Sequence, residues 1–261
     1  MKVQPVRAQC TNTGDLRIEV CWTNSISSNI KNDFITIQSK VFGFNFAARY
    51  SNQFEANIYG PSIIVVSYCR NRPAGAWALW RNDLEIHKAF QAGSTAVLEE
   101  HRGQGLFRKM VNAGLRELGD AAMIYNFPND QSLPGYLKMG WTLRDHRRYR
   151  IVSQFLEHRI DVDLMGDNYL SWILKNERQA TLKSKIVGFK GSPYLLRKRF
   201  KGLYIAIASL NYSSVKSQNK VMAPFILEYS RKGYLGRGLV TVVRNVPESV
   251  RIPIYKVDTM F

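Results

Sequence analysis

Hydrophobic and polar positions along the chain predict an initial strand followed by a helix. Leu16–Trp22 alternates apolar and polar side chains, which is typical of a half-buried strand. Ser28–Phe42 instead places its apolar side chains at helical spacing, and Gly43 follows it as a helix stop. The hydrophobic period therefore changes from two residues to about 3.6 residues between these two segments.

The same two periods continue to about residue 151. Further strands are predicted at Ser62–Tyr68, Gly75–Trp80, Gly93–Leu98, Ala121–Phe127 and Trp141–Ile151, with a short strand-like piece at Asp83–His87. Helices are predicted at Phe107–Leu118 and Ser132–Met139. This order of elements predicts an α+β (α/β) fold in which helices flank a mixed central sheet.

The pattern becomes looser after residue 151. Ile160–Gly166 has the composition of a connector, and strands are predicted around Gly202–Leu210, Leu239–Val243 and Ile252–Val257. We therefore predict two domains, residues 1–155 and a mainly β accessory region at residues 156–261, although the later strands could instead extend the first sheet.

Composition favours a folded protein that does not span a membrane. The 261 residues are 45% hydrophobic and 12% aromatic, which is enough for substantial cores. No leader-like segment is visible, and apolar runs such as Ile63–Val66 are far shorter than the ~20 residues that cross a bilayer. The three cysteines have no metal-ligand spacing, so we expect reduced thiols and a cytoplasmic location.

Positive charge is concentrated in the second half of the chain. The formal net charge is +17, and residues 178–227 contain ten Lys or Arg and no acid, with aromatic residues interleaved. Such a field favours anionic partners and counts against a polycationic acceptor such as a polyamine. A solvated basic face that only aids solubility is the alternative.

A glycine-rich turn between a predicted strand and a predicted helix is the strongest chemical signal. His101–Met110 reads HRGQGLFRKM, and free backbone N–H groups at the start of a helix favour a phosphate or pyrophosphate. The turn is not a Walker loop, because no Gly-Lys-Ser/Thr follows, and it is not the dinucleotide pattern Gly-x-Gly-x-x-Gly.

This loop, together with a second motif, resembles the GNAT N-acetyltransferase superfamily. Arg102-x-x-Gly105 is followed at a suitable distance by Asn129 and by Tyr136-x-x-x-Gly-Trp141, and the likeness covers roughly residues 16–151. The closest resemblance is to bacterial GNAT proteins associated with aminosugar and polysaccharide modification. Residues 156–261 resemble the accessory part of such proteins, and a degenerate second GNAT-like half is one interpretation of them.

The resemblance implies that acetyl-CoA is the co-substrate and assigns its binding residues. The pyrophosphate is expected on the main-chain N–H groups of Arg102, Gly103, Gln104, Gly105, Leu106 and Phe107. The pantetheine arm is expected along Ser94, Thr95, Ala96 and Val97, with Asn129 near it. Phe107 is a departure, because the family usually has a small residue there. An N-cap role is the alternative for Asn129.

The same resemblance assigns Tyr136 as the acid that protonates the departing thiolate, since a phenol with a pKa near ~10 can donate that proton. The alternative for Tyr136 is an ordinary core residue. Glu85 and His87 are candidates for the base that deprotonates the amine, and His87 could equally be an exposed residue at a strand end. No metal site is expected, because the four histidines form no cluster.

The expected function is acetyl transfer to a primary amine of an anionic acceptor. An aminosugar, either nucleotide-linked or part of a glycan precursor, is the acceptor that the resemblance implies. Two alternatives remain open: acylation of an amine on a modified base in DNA or RNA, with residues 178–227 contacting the nucleic acid, and a GNAT-shaped binding module without catalysis. The oligomeric state cannot be predicted from the sequence.

Overall fold

The strands predicted in the first half of the chain pair into one sheet. The computed structural model describes residues 15–153, 163–177, 184–189, 192–200, 203–209 and 225–256. These residues form two compact units. The first unit contains residues 15–126, 130–141 and 243–246, and the second contains the other described residues. The sequence places a domain boundary near residue 155, whereas residues 142–153 group with the second unit.

The first unit is built on a mixed sheet with the strand order β1-β2-β3-β4-β5. These strands are β1 (Leu16–Trp22), β2 (Ile63–Cys69), β3 (Arg72–Arg81), β4 (Ala89–Val97) and β5 (Met123–Asn126). Strands β1 to β4 pair antiparallel, whereas β4 and β5 pair parallel. A parallel pair needs a crossover connection, and a helix supplies it here.

Helices on both faces bury the sheet of the first unit. They are α1 (Ser28–Phe42), α2 (Ala47–Tyr50, continued by a π-helical turn at Ser51–Glu55), α3 (Leu106–Leu118) and α4 (Leu133–Lys138). Helix α1 begins where the Ser27 hydroxyl accepts a hydrogen bond from the Ile30 N–H, and it ends at Gly43 with a φ of 74°. The predicted α+β architecture, a mixed sheet flanked by helices, is confirmed.

The central strands β2 and β3 have two buried faces. Ile64 and Val66 pack in the core that contains Phe34 and Ile37 of α1. Val65 lies on the opposite face with α3, where a Cβ on Gly114 would approach the Trp77 ring to 2.7 Å. This double burial explains why residues 63–66 of β2 form an unbroken apolar run instead of an alternating pattern.

The second unit is mainly β. Within it the strand order is β11-β6-β10-β9-β8-β7. Its elements are β6 (Thr142–Ser153), α5 (Asp167–Glu177), β7 (Ser184–Phe189), β8 (Ser192–Phe200), β9 (Leu203–Ser209), β10 (Phe225–Ser230) and β11 (Leu235–Arg244), followed by a 3₁₀ turn at Ile254–Lys256. The last two residues of β11 belong to the first unit. Much of the predicted nucleic-acid segment 178–227 lies outside the described residues or has undescribed side chains.

Three expectations from the sequence are wrong. Asp83–His87 is not a strand but the turn between β3 and β4, closed by two hydrogen bonds between the backbones of Leu84 and His87. Ile252–Val257 contains the 3₁₀ turn where a strand was predicted. Cys69 is disulfide-bonded, so the thiols are not all reduced.

Among the described residues, no helix is long and apolar enough to cross a bilayer.

Candidate active site

The parallel strands β4 and β5 pair only at their amino-terminal ends. The register matches Ala89 with Met123 and ends at the pair Gln91–Tyr125, although β4 continues to Val97. Over the rest of β4, the described residues show no pairing with β5. Backbone groups on this edge that no side chain engages can therefore bind an extended ligand, as they would bind an added strand.

A bulge in β4 lies within this open stretch. The register between β3 and β4 shifts at Trp77, and Ser94 adopts a left-handed φ of 47°. The Gln38 side chain of α1 donates a hydrogen bond to the Ser94 carbonyl at 2.5 Å. The helix thus fixes the strained residue from the buried face, while Thr95 and Val97 remain partly exposed.

Tyr136 inserts its phenol at the point where β4 and β5 separate. The side chain is fully buried, and its oxygen accepts a hydrogen bond from the Trp77 indole N–H at 3.1 Å. Burial raises the pKa of Tyr136 to about 12, although hydrogen bonds with Trp77, Thr95 and Asn126 act to lower it. The phenol is therefore neutral at physiological pH and carries a proton that it can donate.

The glycine-rich turn opens helix α3 immediately after β4. Gly103 and Gly105 have left-handed φ values of 77° and 71°, and a Cβ at either position would meet no atom within 4 Å. The first helical hydrogen bond joins the Lys109 N–H to the Gly105 carbonyl. The N-cap residue Gly105 has no side chain that could accept a hydrogen bond from the N–H groups before Lys109. The first-turn N–H groups of α3 thus lack intrahelical partners and suit an anion.

The flanking side chains hold this turn in place. Arg102 is exposed, and its Nε donates to the Val97 carbonyl at 3.1 Å. Gln104 donates to the Glu100 carbonyl at 3.3 Å. The Leu106 side chain is buried against Cys69 and Ala74 and anchors the start of α3 in the core. Only the backbone N–H of Leu106 belongs to the predicted anion site. The residues of the turn fit a pyrophosphate, and Arg102 adds a cationic side chain there.

Phe107 packs against helix α4. Its ring stands edge-on to Tyr136 with 5.2 Å between ring centroids. Gly135 makes room for it, because a Cβ on Gly135 would lie 2.7 Å from Phe107 Cε1. The large side chain, at a position where the resemblance implies a small one, is therefore accommodated by a glycine in the neighbouring helix.

The predicted base candidates are not brought to Tyr136. Glu85 is exposed in the turn between β3 and β4, with a φ of 51°, and His87 is half-buried at the end of that turn. From Ala89, where β4 begins, to Thr95 is six residues, or about 20 Å of strand. The role of Glu85 and His87 as a base stays a prediction, and the structure does not place either residue beside Tyr136. Asn129 is exposed and belongs to the second unit, so its role also stays a prediction.

Three residues of the site were missed by the sequence analysis. Trp77 gave no signal, because residues 73–80 of its strand contain no charged or polar side chain that would mark one face. Gln38 is a polar residue on the apolar stripe of α1, and Asn126 is a buried polar residue at the end of β5, so both carried a usable signal. Within the described ranges, no group of three or more His, Cys, Asp or Glu is arranged to hold a metal ion.

Comparisons with known proteins agree with this geometry. Residues 24–144 match the family model for the acetyltransferase (GNAT) domain. Among solved structures, a protein from Pyrococcus horikoshii is 10% identical with a TM-score of 0.53, and the match covers 95% of this chain and 96% of that one. A GCN5-related N-acetyltransferase from Kribbella flavida is 10% identical with a TM-score of 0.50, covering 89% and 72%.

A third similar structure is Eis1 from Mycobacterium abscessus, at 10% identity and a TM-score of 0.51, covering 81% of this chain and 65% of that one. Identities this low show a shared fold alone. A search of curated proteins found no match to the chain.

The contact between Phe107 and Gly135 can be tested by a double-mutant cycle. We expect Gly135→Ala to destabilise the protein by about 1–3 kcal/mol through overpacking. Phe107→Ala should remove the clash, so the double variant should be more stable than the sum of the single effects predicts, by on the order of 1 kcal/mol. The measurement is unfolding in urea. Gly166→Ala, where a Cβ meets nothing, is the control and should combine additively with Phe107→Ala. Additivity in the first cycle would contradict the contact.

Proposed function

We propose that the chain transfers an acetyl group from acetyl-CoA to a primary amine, because residues 24–144 match the family model for a GNAT acetyltransferase domain. The observation that carries the proposal is the neutral phenol of Tyr136 at the open edge of β4. The same strand leads directly into the glycine-rich turn. A pyrophosphate on that turn and a pantetheine arm along Thr95 and Val97 would bring the thioester toward the phenol.

In the proposed reaction, the amine nitrogen attacks the thioester carbonyl carbon, an N–C bond forms and the C–S bond breaks. The thiolate takes the phenolic proton of Tyr136, and the attacking nitrogen loses its own proton to water or to a base. Trp77 has two roles here. Its N–H occupies a lone pair of the phenol oxygen and so leaves the O–H to point elsewhere, and it stabilises the phenolate after proton transfer.

The proposed acceptor is an amine on an anionic molecule, and an aminosugar is the class we favour. The support is electrostatic, because a chain with a net charge of +17 attracts anions and repels polyamines. Nucleic acid is not proposed as the acceptor, because the described residues offer no observation that favours it.

The role of Tyr136 is tested by Tyr136→Phe. We expect kcat to fall by about 100-fold or more, since general-acid catalysis contributes roughly 10²–10⁴-fold. Affinity for acetyl-CoA should change little, because the ring packing is kept. Thiol release gives kcat, and calorimetry gives the affinity.

Tyr125→Phe is the matched control for this variant. Tyr125 is an equally buried tyrosine whose hydroxyl donates to the Asn82 carbonyl at 2.9 Å, on the paired part of β5. An unchanged kcat in Tyr136→Phe, or an equal loss in both variants, would exclude Tyr136 as the acid.

The glycine-rich turn is tested by Gly105→Glu. A carboxylate at this position repels the diphosphate and fills the approach to the first-turn N–H groups, so affinity for acetyl-CoA should fall by roughly 100-fold. The control is Gly43→Glu, because Gly43 has a similar left-handed φ of 74° and also has no atom within 4 Å of an added Cβ. If both variants bind acetyl-CoA like the parent protein, the turn is not the binding site.

The acceptor proposal is tested with two amines that differ only in charge, glucosamine and glucosamine 6-phosphate. We expect kcat/KM for the phosphorylated amine to be about tenfold higher at low ionic strength, and this advantage to shrink as salt screens the positive field. Spermidine should be a poor acceptor. Equal use of both sugars at all salt concentrations, or a preference for spermidine, would contradict an anionic acceptor.

A further inference from the structure

The second unit contains a cleft of about 540 Å³ that is rich in arginine. Strand β6, the turn after β10, Thr241 of β11 and residues 248–252 form its walls, and every lining residue belongs to this unit. The lining cations are Arg144, Arg147, Arg150, Arg231, Lys232 and Arg251, and the lining acids are Asp145 and Glu248. We call this feature the arginine cleft.

Carboxylates compensate only part of this charge. Asp145 Oδ2 accepts a hydrogen bond from Arg147 Nε at 2.6 Å, and Asp145 Oδ1 accepts one from Arg231 Nε at 2.9 Å, so one carboxylate serves two guanidiniums. Although burial alone would raise the pKa of Asp145, the hydrogen bonds and charges of these two arginines lower it. Asp145 is therefore ionised at neutral pH and cannot take up a proton to release its arginines.

Two further arginines are held by carboxylates outside the lining. Arg150 Nε donates to the fully buried Glu228 at 2.8 Å, and Arg251 pairs with Asp163 at 2.5 Å. Six cations thus meet four carboxylates among the described residues, so the cleft keeps an excess of positive charge. A confined excess of one sign attracts counter-ions of the other.

The cleft arginines are positioned before any ligand arrives. Arg144 donates to the backbone carbonyls of Pro247 and Val250, the latter at 3.1 Å, so neutral acceptors fix this cation without neutralising it. Arg147 is only 19% exposed and is held by Asp145. A guanidinium with some of its donors already engaged can still present the others, in a rigid fork that matches phosphate oxygens.

The uncharged lining residues narrow the class of ligand. Ser230, Thr241 and Ser249 contribute hydroxyl donors, and no aromatic side chain is among the lining residues. Recognition of single-stranded nucleic acid relies on aromatic rings that stack with bases, which this cleft lacks. The volume suits a small molecule and not an extended strand.

We propose that the arginine cleft binds a short oligophosphate, two or three linked phosphate groups, either free or at the end of a soluble metabolite. The inference does not depend on the proposed acetyl transfer, because every residue it uses lies in the second unit.

Calorimetric titration of the full chain with inorganic tripolyphosphate tests this proposal. The parent protein and Gly105→Glu are both titrated, so that a phosphate on the glycine-rich turn is distinguished from one in the arginine cleft. We expect Gly105→Glu to retain tripolyphosphate binding, and the affinity to fall steeply between 50 mM and 200 mM salt. The double variant Arg231→Gln/Lys232→Gln, whose two side chains are exposed, should bind about tenfold more weakly.

The control is Arg116→Gln/Arg148→Gln, which removes the same charge from two exposed arginines that do not line the cleft. This variant should bind tripolyphosphate within about twofold of the parent. An equal loss in both double variants would mean that only the general field attracts the anion, and would overturn the site. Absence of binding to Gly105→Glu at 50 mM salt would also overturn it.

Three further small phosphates distinguish the sources of the phosphate groups. Uridine diphosphate and inorganic pyrophosphate should bind with similar affinity, because the cleft has no ring for the base to stack on, and uridine monophosphate should bind more weakly. If a single-stranded oligonucleotide binds with an affinity that depends on Arg231 and Lys232 while the small phosphates do not bind, the cleft is a nucleic-acid site and the proposal is wrong.

Discussion

The separation of β4 from β5 is the constraint on which the rest of the candidate site depends. Where two parallel strands separate, their facing backbone groups lose their partners, and a polar side chain that enters the gap must be hydrogen-bonded to offset its desolvation. Tyr136 meets this condition through Trp77, Thr95 and Asn126, which come from β3, β4 and β5. The phenol is therefore both the proposed proton donor and a link between three strands at their point of divergence.

Aromatic packing connects this point to the glycine-rich turn. Trp77 lies between Tyr136 and helix α3, where Gly114 leaves room for its ring, and Phe107 lies between α3 and α4, where Gly135 does the same. Alanine is the better helix former at either glycine by about 1 kcal/mol, so local propensity does not explain these residues. Tertiary packing explains them, because each glycine makes room for an aromatic ring. The same helix thus carries the proposed pyrophosphate turn and positions the proposed acid.

Predictions from the sequence succeeded where a local rule decides the structure. Strand β1 and helix α1 were predicted with their observed bounds, because period and capping act within a few residues. The turn at Asp83–His87 was missed, since Glu85 takes a left-handed φ that its residue type rarely adopts. Tyr136 was a candidate from the sequence because the resemblance assigns it. Trp77, its partner 59 residues away, could not be identified, because a strand buried on both faces has no period that marks one side chain.

The paired arginines of the second unit also bear on the chain's positive charge. A face that only aided solubility would carry exposed cations that need no fixed partners. Here Glu228 is fully buried beside Arg150, and removing a carboxylate from water costs several kcal/mol that its ion pair must offset. Asp145 similarly fixes two arginines at once. These carboxylates orient the guanidiniums but leave the arginine cleft with a net positive charge. Fixed guanidinium orientations benefit only a ligand whose own charges have fixed positions.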